Sequence, residues 1–191
     1  MLYERQDIFS GIDRRIGKAF GFLPPNAWTV LSLIVALPVF YFIIREDFIL
    51  AAAALAAAAF FDKIDGSVAR FAGKVTKTGA YLDTITDRYV EFTAVAGLLF
   101  ISMPQIILPF YAWLFLYLFG SMMTTYAKAS AKEKLNKEIK GGLLERAERM
   151  ALLFAGILLA YFSKSYLAYA IAFMAIISNI TALQRIRKAL K

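Results

Sequence analysis

Four aspartates stand close together in the segment DKIDGSVARFAGKVTKTGAYLDTITDRYVE, residues 62–91, within a chain that is otherwise mostly apolar. Asp62 and Asp65 are three residues apart, Asp83 and Asp87 four. Each spacing puts its pair on one face of a helix, because residues three and four apart stack above one another. A helical hairpin turning near Gly73 would bring all four carboxylates together. Gathered like charges repel strongly where the dielectric is low, so something cationic must hold them. The chain has no cysteine and no histidine, which removes thiolate and imidazole ligands and the usual general base. An all-oxygen set selects a hard cation, Mg2+, Mn2+ or Ca2+, over zinc. Four carboxylates can hold two such ions, and two metals suit phosphoryl transfer.

The neighbours of the aspartates fit a nucleotide diphosphate. Gly66 and Ala69 before the turn, and Gly79 after it, leave bare backbone where a ligand approaches closely. Arg70 offers a bidentate grip on phosphate. Asn26 and Thr29, in PPNAWT, stand where a helix cap is expected. The plainer alternative is that the aspartates only cap helices or pair with Lys63, Arg70 and Arg88. Ionisable groups in facing pairs at membrane depth argue for function instead.

The elements that must position these residues are apolar helices. The 191 residues are 60% hydrophobic and 15% aromatic, with a mean hydropathy of +0.61, more apolar surface than an ordinary soluble domain needs. We read an all-α, polytopic membrane protein, residues 1–191 forming one domain with six transmembrane helices. The spans run over about Asn26–Ile44 (interrupted by Pro38), Phe48–Phe71, Gly79–Met103, Ile106–Ala127, Met150–Phe162 with helix starting near Leu143, and Tyr166–Leu183. Ahead of them, residues 4–20 repeat Ile8, Ile12, Ile16 and Phe20 at four-residue steps, with Arg14, Arg15 and Lys18 elsewhere. That pattern predicts an amphipathic helix lying in the membrane interface, or one packed on the cytoplasmic side. Glu4, Asp7 and Asp13 interrupt the N-terminus, which therefore does not read as a cleavable signal peptide.

The formal charge of +8 is distributed by topology. Of the 22 lysines and arginines, Arg45 and Lys164 alone fall in the loops opposite the termini, and Lys63 and Arg88 lie within spans. The positive-inside rule then places both termini and the acidic hairpin on the cytoplasmic face of the cell membrane. Basic flanks of apolar spans meet anionic lipid headgroups, so the charge points to the bilayer and not to nucleic acid. A second set, Thr125 with the cations Lys128, Arg146, Arg149 and Arg185, sits at the cytoplasmic ends of spans four, five and six. Several cations around a polar cavity suit an acceptor that is itself anionic.

Asp62-x2-Asp65-Gly66-x2-Ala69-Arg70-x8-Gly79-x3-Asp83-x3-Asp87 resembles the signature of the CDP-alcohol phosphotransferase family. The resemblance implies transfer of a phosphatidyl-type group from a CDP-linked lipid to an alcohol, with release of CMP. It implies that Asp62, Asp65, Asp83 and Asp87 hold two divalent cations (Mg2+ or Mn2+), and that Asp87 also deprotonates the acceptor hydroxyl. Asn26, Thr29, Asp65, Gly66, Ala69, Arg70 and Gly79 would bind the CDP moiety. The segments TYAKA and GGLLERAER further resemble the branch that uses inositol 1-phosphate, the phosphatidylinositol-phosphate and archaetidylinositol-phosphate synthases. In that branch Pro commonly stands at the place of Ala147, and Arg and Glu at those of Ser130 and Lys132. Lys128, Arg146 and Arg185 would grip the inositol phosphate, with Thr125 and Arg149 beside them, and the family implies a homodimer. Glycerol 3-phosphate, serine and inositol are the alternative acceptors. A membrane prenyltransferase and a cation transporter are the rival functions for intramembrane carboxylates.

Overall fold

The computed structural model describes residue 11 and residues 13–191, and among them it contains seven helices and no strand beyond a bridge between Ile106 and Leu108. We number the helices α1 (13–20), α2 (Pro25–Ile44), α3 (Phe48–Phe71), α4 (Lys77–Leu98), α5 (Phe110–Leu135), α6 (Arg146–Ala160) and α7 (Lys164–Leu190). They form two compact units. One comprises the described residues through Phe40 with Ala53–Ala94; the other comprises Tyr41–Ala52 with Val95–Lys191.

The first unit is built around Trp28, which the sequence places one turn into α2. Its ring stacks on Phe61 at 5.6 Å and meets Phe20 and Phe22 edge-on at 5.5 Å. Its indole nitrogen donates to the carbonyl of Phe20 at 3.1 Å, so the large apolar body is buried without orphaning its polar atom. Ile64 and Val68 of α3 complete the cluster, and Ile16 and Phe20 of α1 pack against it. These two members of the α1 stripe, half-buried, therefore pack against protein. Arg14, Arg15 and Lys18 remain exposed. Ile8, Ile12 and the rest of 4–10 lie outside the described residues. Gly17 sets the approach of α1, because a Cβ there would overlap Phe71 and lie 2.9 Å from the carbonyl of Ser67.

Small residues set the second unit. Gly156 of α6 faces Leu167 and Ala170 at the start of α7, where a Cβ would come within 3.0 Å of Leu167 and 3.2 Å of Ala170. Gly120 of α5 receives Asn179 of α7, whose amide nitrogen donates to the carbonyls of Leu116 and Ala175 at 2.9 and 2.8 Å. Lys164 Nζ joins Glu46 at 2.6 Å and the carbonyl of Ser102 at 3.0 Å, so the loops expected opposite the termini meet.

The hairpin turn falls where the aspartate spacing requires it, with Gly73 at φ +62° between α3 and α4. Other boundaries shift. Helix α5 starts four residues later than expected, because Pro109 precedes it and Ile107 takes φ +58°, and it runs on through the lysines to Leu135. Helix α7 likewise continues through the basic tail to Leu190. By length and composition, α2 and α7 are apolar enough to cross a membrane. The other expected spans fall short for identifiable reasons. Helices α3 and α4 carry the charged hairpin, α5 mixes tyrosine and threonine among its apolar residues, and α6 has 15 residues.

Gly120→Ala should destabilise the protein by about 1–3 kcal/mol, the usual cost of overpacking, read as a lower melting temperature in detergent. Adding Asn179→Ala should restore the loss only in part, since the backbone nitrogen of residue 179 also lies 2.9 Å from the added methyl.

Candidate active site

The hairpin brings three of the four aspartates into one group. Asp62 of α3 and Asp83 and Asp87 of α4 place carboxylate oxygens within 4.8 Å of one another. Asp62 and Asp83 are half-buried and Asp87 is buried. Asp65, one turn further along α3, is buried and accepts a 2.6 Å hydrogen bond from Thr29 Oγ1. Thr29 is not a helix cap, since α2 already begins at Pro25; its hydroxyl is the partner of Asp65.

Three cations of the hairpin have carboxylate partners outside the four. Lys63 Nζ and Arg70 Nη2 each lie 2.9 Å from Asp13 of α1, and Arg88 pairs with the fully buried Glu91 at 2.7 Å. Burial alone would raise the Asp13 pKa, but hydrogen bonds from Lys63 and Ser67 and the charges of Arg70 and Lys63 outweigh it, so the carboxyl is held below its ordinary value.

Beside the carboxylates lies a cavity of about 300 Å³. Every residue expected on the CDP moiety lines it: Asn26, Thr29, Asp65, Gly66, Ala69, Arg70 and Gly79, together with Asp83. The small residues are needed there. A Cβ at Gly66 would come within 3.2 Å of Arg70 Nη1, and one at Gly79 within 3.1 Å of Thr76 Oγ1 and 3.4 Å of Asn26 Oδ1. Sequence reasoning missed Thr76 and Lys74 on the wall. Thr76, three residues before Gly79, accepts from the Gly79 backbone at 3.0 Å, a capping pattern legible in T-K-T-G. Asp13 was also missed; its one signal is its place four residues before Gly17, on the face that approaches α3.

The second cationic set belongs to the other unit, where the 136–145 segment is tied to α7. Arg185 donates through Nε to the carbonyl of Gly141 at 3.2 Å and through Nη1 to that of Thr124 at 2.9 Å, with Glu145 at 3.7 Å from Nη2. Arg149, 1% exposed, donates to the carbonyl of Leu144. Both arginines therefore hold backbone of the α5–α6 connection. Thr125 and Arg146 are half-buried and Lys128 is exposed.

A helical hairpin gathers aspartates beside a cavity walled by glycine, asparagine and arginine, and its oxygen donors could hold a hard divalent cation. The CDP-alcohol phosphatidyltransferase family model matches residues 22–181, and the chain belongs to that family. It is an enzyme of phospholipid biosynthesis, which removes the prenyltransferase and transporter readings. It is 32% identical over 181 residues to the archaetidylinositol phosphate synthase of Pyrococcus horikoshii, covering 93% of this chain and 90% of the relative. The phosphatidylinositol phosphate synthase of Mycobacterium tuberculosis, solved with CDP-DAG bound, superposes with a TM-score of 0.82 at 25% identity, over 97% of this chain and 94% of that one. The same synthase in complex with manganese and citrate gives a TM-score of 0.82 at 26% identity, over 95% and 88%.

Thr29→Val removes the hydroxyl but keeps its volume, leaving a buried carboxylate short of a donor. Melting in detergent should show a loss of about 1.5–3 kcal/mol, whereas Thr29→Ser should stay close to wild type.

Proposed function

We propose that this chain transfers a phosphatidyl-type group, diacylglycerol- or archaeol-based, from a CDP-linked lipid to inositol 1-phosphate. The observation that carries the reading is the convergence of Asp62, Asp83 and Asp87 beside a cavity lined by the whole expected CDP-binding set. The inositol phosphate names of the relatives support the acceptor, and a manganese complex of a relative supports the metal.

Two divalent cations bound at Asp62, Asp65, Asp83 and Asp87 would neutralise the pyrophosphate charge as it develops. Asn26, Gly66, Ala69, Gly79 and Arg70 hold the CDP moiety against the hairpin. Thr29 acts at one remove, by orienting Asp65. The acceptor hydroxyl oxygen bonds to the β-phosphorus, the bridging P–O bond breaks, and CMP leaves with the bonding electrons. Asp87 takes the hydroxyl proton. Lys128 of α5 and Arg146 at the start of α6 bind the phosphate of the acceptor, while Arg185 and Arg149 hold the connection between those two helices, with Thr125 on α5 beside Lys128.

The chain crosses the cell membrane six times as a homodimer, with termini and active site on the cytoplasmic face. Apolar stripes support the embedding: Val30, Ile34, Leu37 and Tyr41 on α2, Tyr111, Phe115, Phe119 and Met122 on α5, and Tyr169, Phe173, Ile176, Ile180 and Leu183 on α7 are exposed. Rows of that length face lipid more readily than water.

Purified enzyme with Mg2+ or Mn2+ should release CMP from a CDP-lipid when offered inositol 1-phosphate, and not with inositol, glycerol 3-phosphate or serine. Asp87→Asn should lower the rate roughly 10²–10⁴-fold, the usual worth of a positioned base. Preference for another alcohol would overturn the acceptor and leave the family standing.

A further inference from the structure

Asp13 of α1 binds three side chains of α3 at once. Its Oδ1 accepts from Lys63 Nζ and from Ser67 Oγ, each at 2.9 Å. Its Oδ2 accepts from Arg70 through Nε at 3.0 Å and Nη2 at 2.9 Å. The carboxylate is 17% exposed while Lys63 and Arg70 are about half exposed, so the anchor is the sheltered partner and the cations are the open ones. The Asp13 contacts occupy one edge of the guanidinium fork. The remaining nitrogen, Nη1, lies over Gly66, at 3.2 Å from where a Cβ would stand, on the wall of the cavity. Without a partner, an arginine on a helix end samples many rotamers, and ordering it on a ligand costs entropy. A fork fixed on one edge presents the other without that cost.

The register of α1 is itself fixed. Gly17, one turn after Asp13 on the same face, sits against Phe71 and the carbonyl of Ser67, where a side chain would not fit. Ile16 and Phe20, on the same face of α1, pack half-buried on Trp28, Ile64 and Val68 and hold the helix along its length. The carboxylate is thereby delivered to Arg70 by a rigid element and not by a loop.

We infer that Asp13 is a positioning residue for donor binding: it holds the Arg70 guanidinium with one edge toward the cavity, ready for the diphosphate of the CDP moiety. This rests on the proposed role of Arg70 in that cavity. It assigns α1 a part in the active site beyond packing, and it makes donor affinity depend on a residue that itself touches no ligand.

The test is a double-mutant cycle on CDP affinity, measured by titration calorimetry on the purified full chain in detergent with saturating Mg2+. Arg70→Ala should weaken CDP binding roughly tenfold or more, the value of a charge-assisted contact. Asp13→Asn, which keeps size and removes charge, should weaken it several-fold, and Asp13→Glu should recover part of the loss. In the Arg70→Ala background, Asp13→Asn should have no further effect, because its influence passes through the guanidinium. Equal affinity for wild type and Asp13→Asn, beside a weakened Arg70→Ala, overturns the inference alone. Independent, multiplied losses in the double variant also overturn it and make Asp13 structural. Tighter binding in Asp13→Asn, as if the carboxylate competed with phosphate for Arg70, overturns it as well. Wild-type affinity in Arg70→Ala overturns the reading of Arg70 on which it stands.

Discussion

Carboxylates that repel one another are forced together at the head of the α3–α4 hairpin, and much of the first unit serves to keep them there. Asp62, Asp83 and Asp87 converge within 4.8 Å, an arrangement that is unfavourable at low dielectric until cations share it. The turn at Gly73 brings the two helices side by side. The Trp28 cluster fastens α1, α2 and α3 to one another, Thr29 fixes Asp65, and Asp13 takes the basic side chains next to the site. Packing energy elsewhere in the unit thus sustains a local charge arrangement that would not form by itself.

The second unit solves a different problem. A ten-residue polar connection, 136–145, joins α5 to α6, and such a segment is ordered only if its carbonyls find donors. Arg185, Arg149 and Lys188 supply them, at Gly141, Leu144 and Lys140 respectively, and Lys137 of the segment donates in turn to the carbonyl of Ala189 on α7. Thr181 accepts from the backbone of Leu144, with Gly142 packed against its methyl group. Cations that read from the sequence as ligand-binding are therefore divided. Some hold the backbone, while Lys128 and Arg146 stand on the helices that the held connection joins.

The hairpin, its turn and the cavity wall were legible because they follow from spacing: three and four residues on a helix face, a glycine at the bend, small residues where chain and ligand must pass closely. The family could be read from the same positions. Helix starts and ends were less legible. Pro109 and the left-handed Ile107 delay α5, and polar residues continue α5 and α7 past any apolar limit because helix formation does not stop where hydropathy does. Long-range polar partners were not legible at all. Thr29 and Asp65 are 36 residues apart, Asp13 and Arg70 57, and no local pattern joins them. The stripe of α1 showed that a face would be buried but not whether lipid or protein would cover it.

That the acidic hairpin is a two-cation centre is tested most directly by titrating the purified protein with Mn2+ and following the electron paramagnetic resonance signal. Two ions should bind per chain, close enough for their spins to couple, and the triple variant Asp62→Asn, Asp83→Asn, Asp87→Asn should leave the six-line signal of free Mn2+ undiminished. A folded wild-type protein that binds no Mn2+ beyond this variant would contradict the centre and the chemistry built on it.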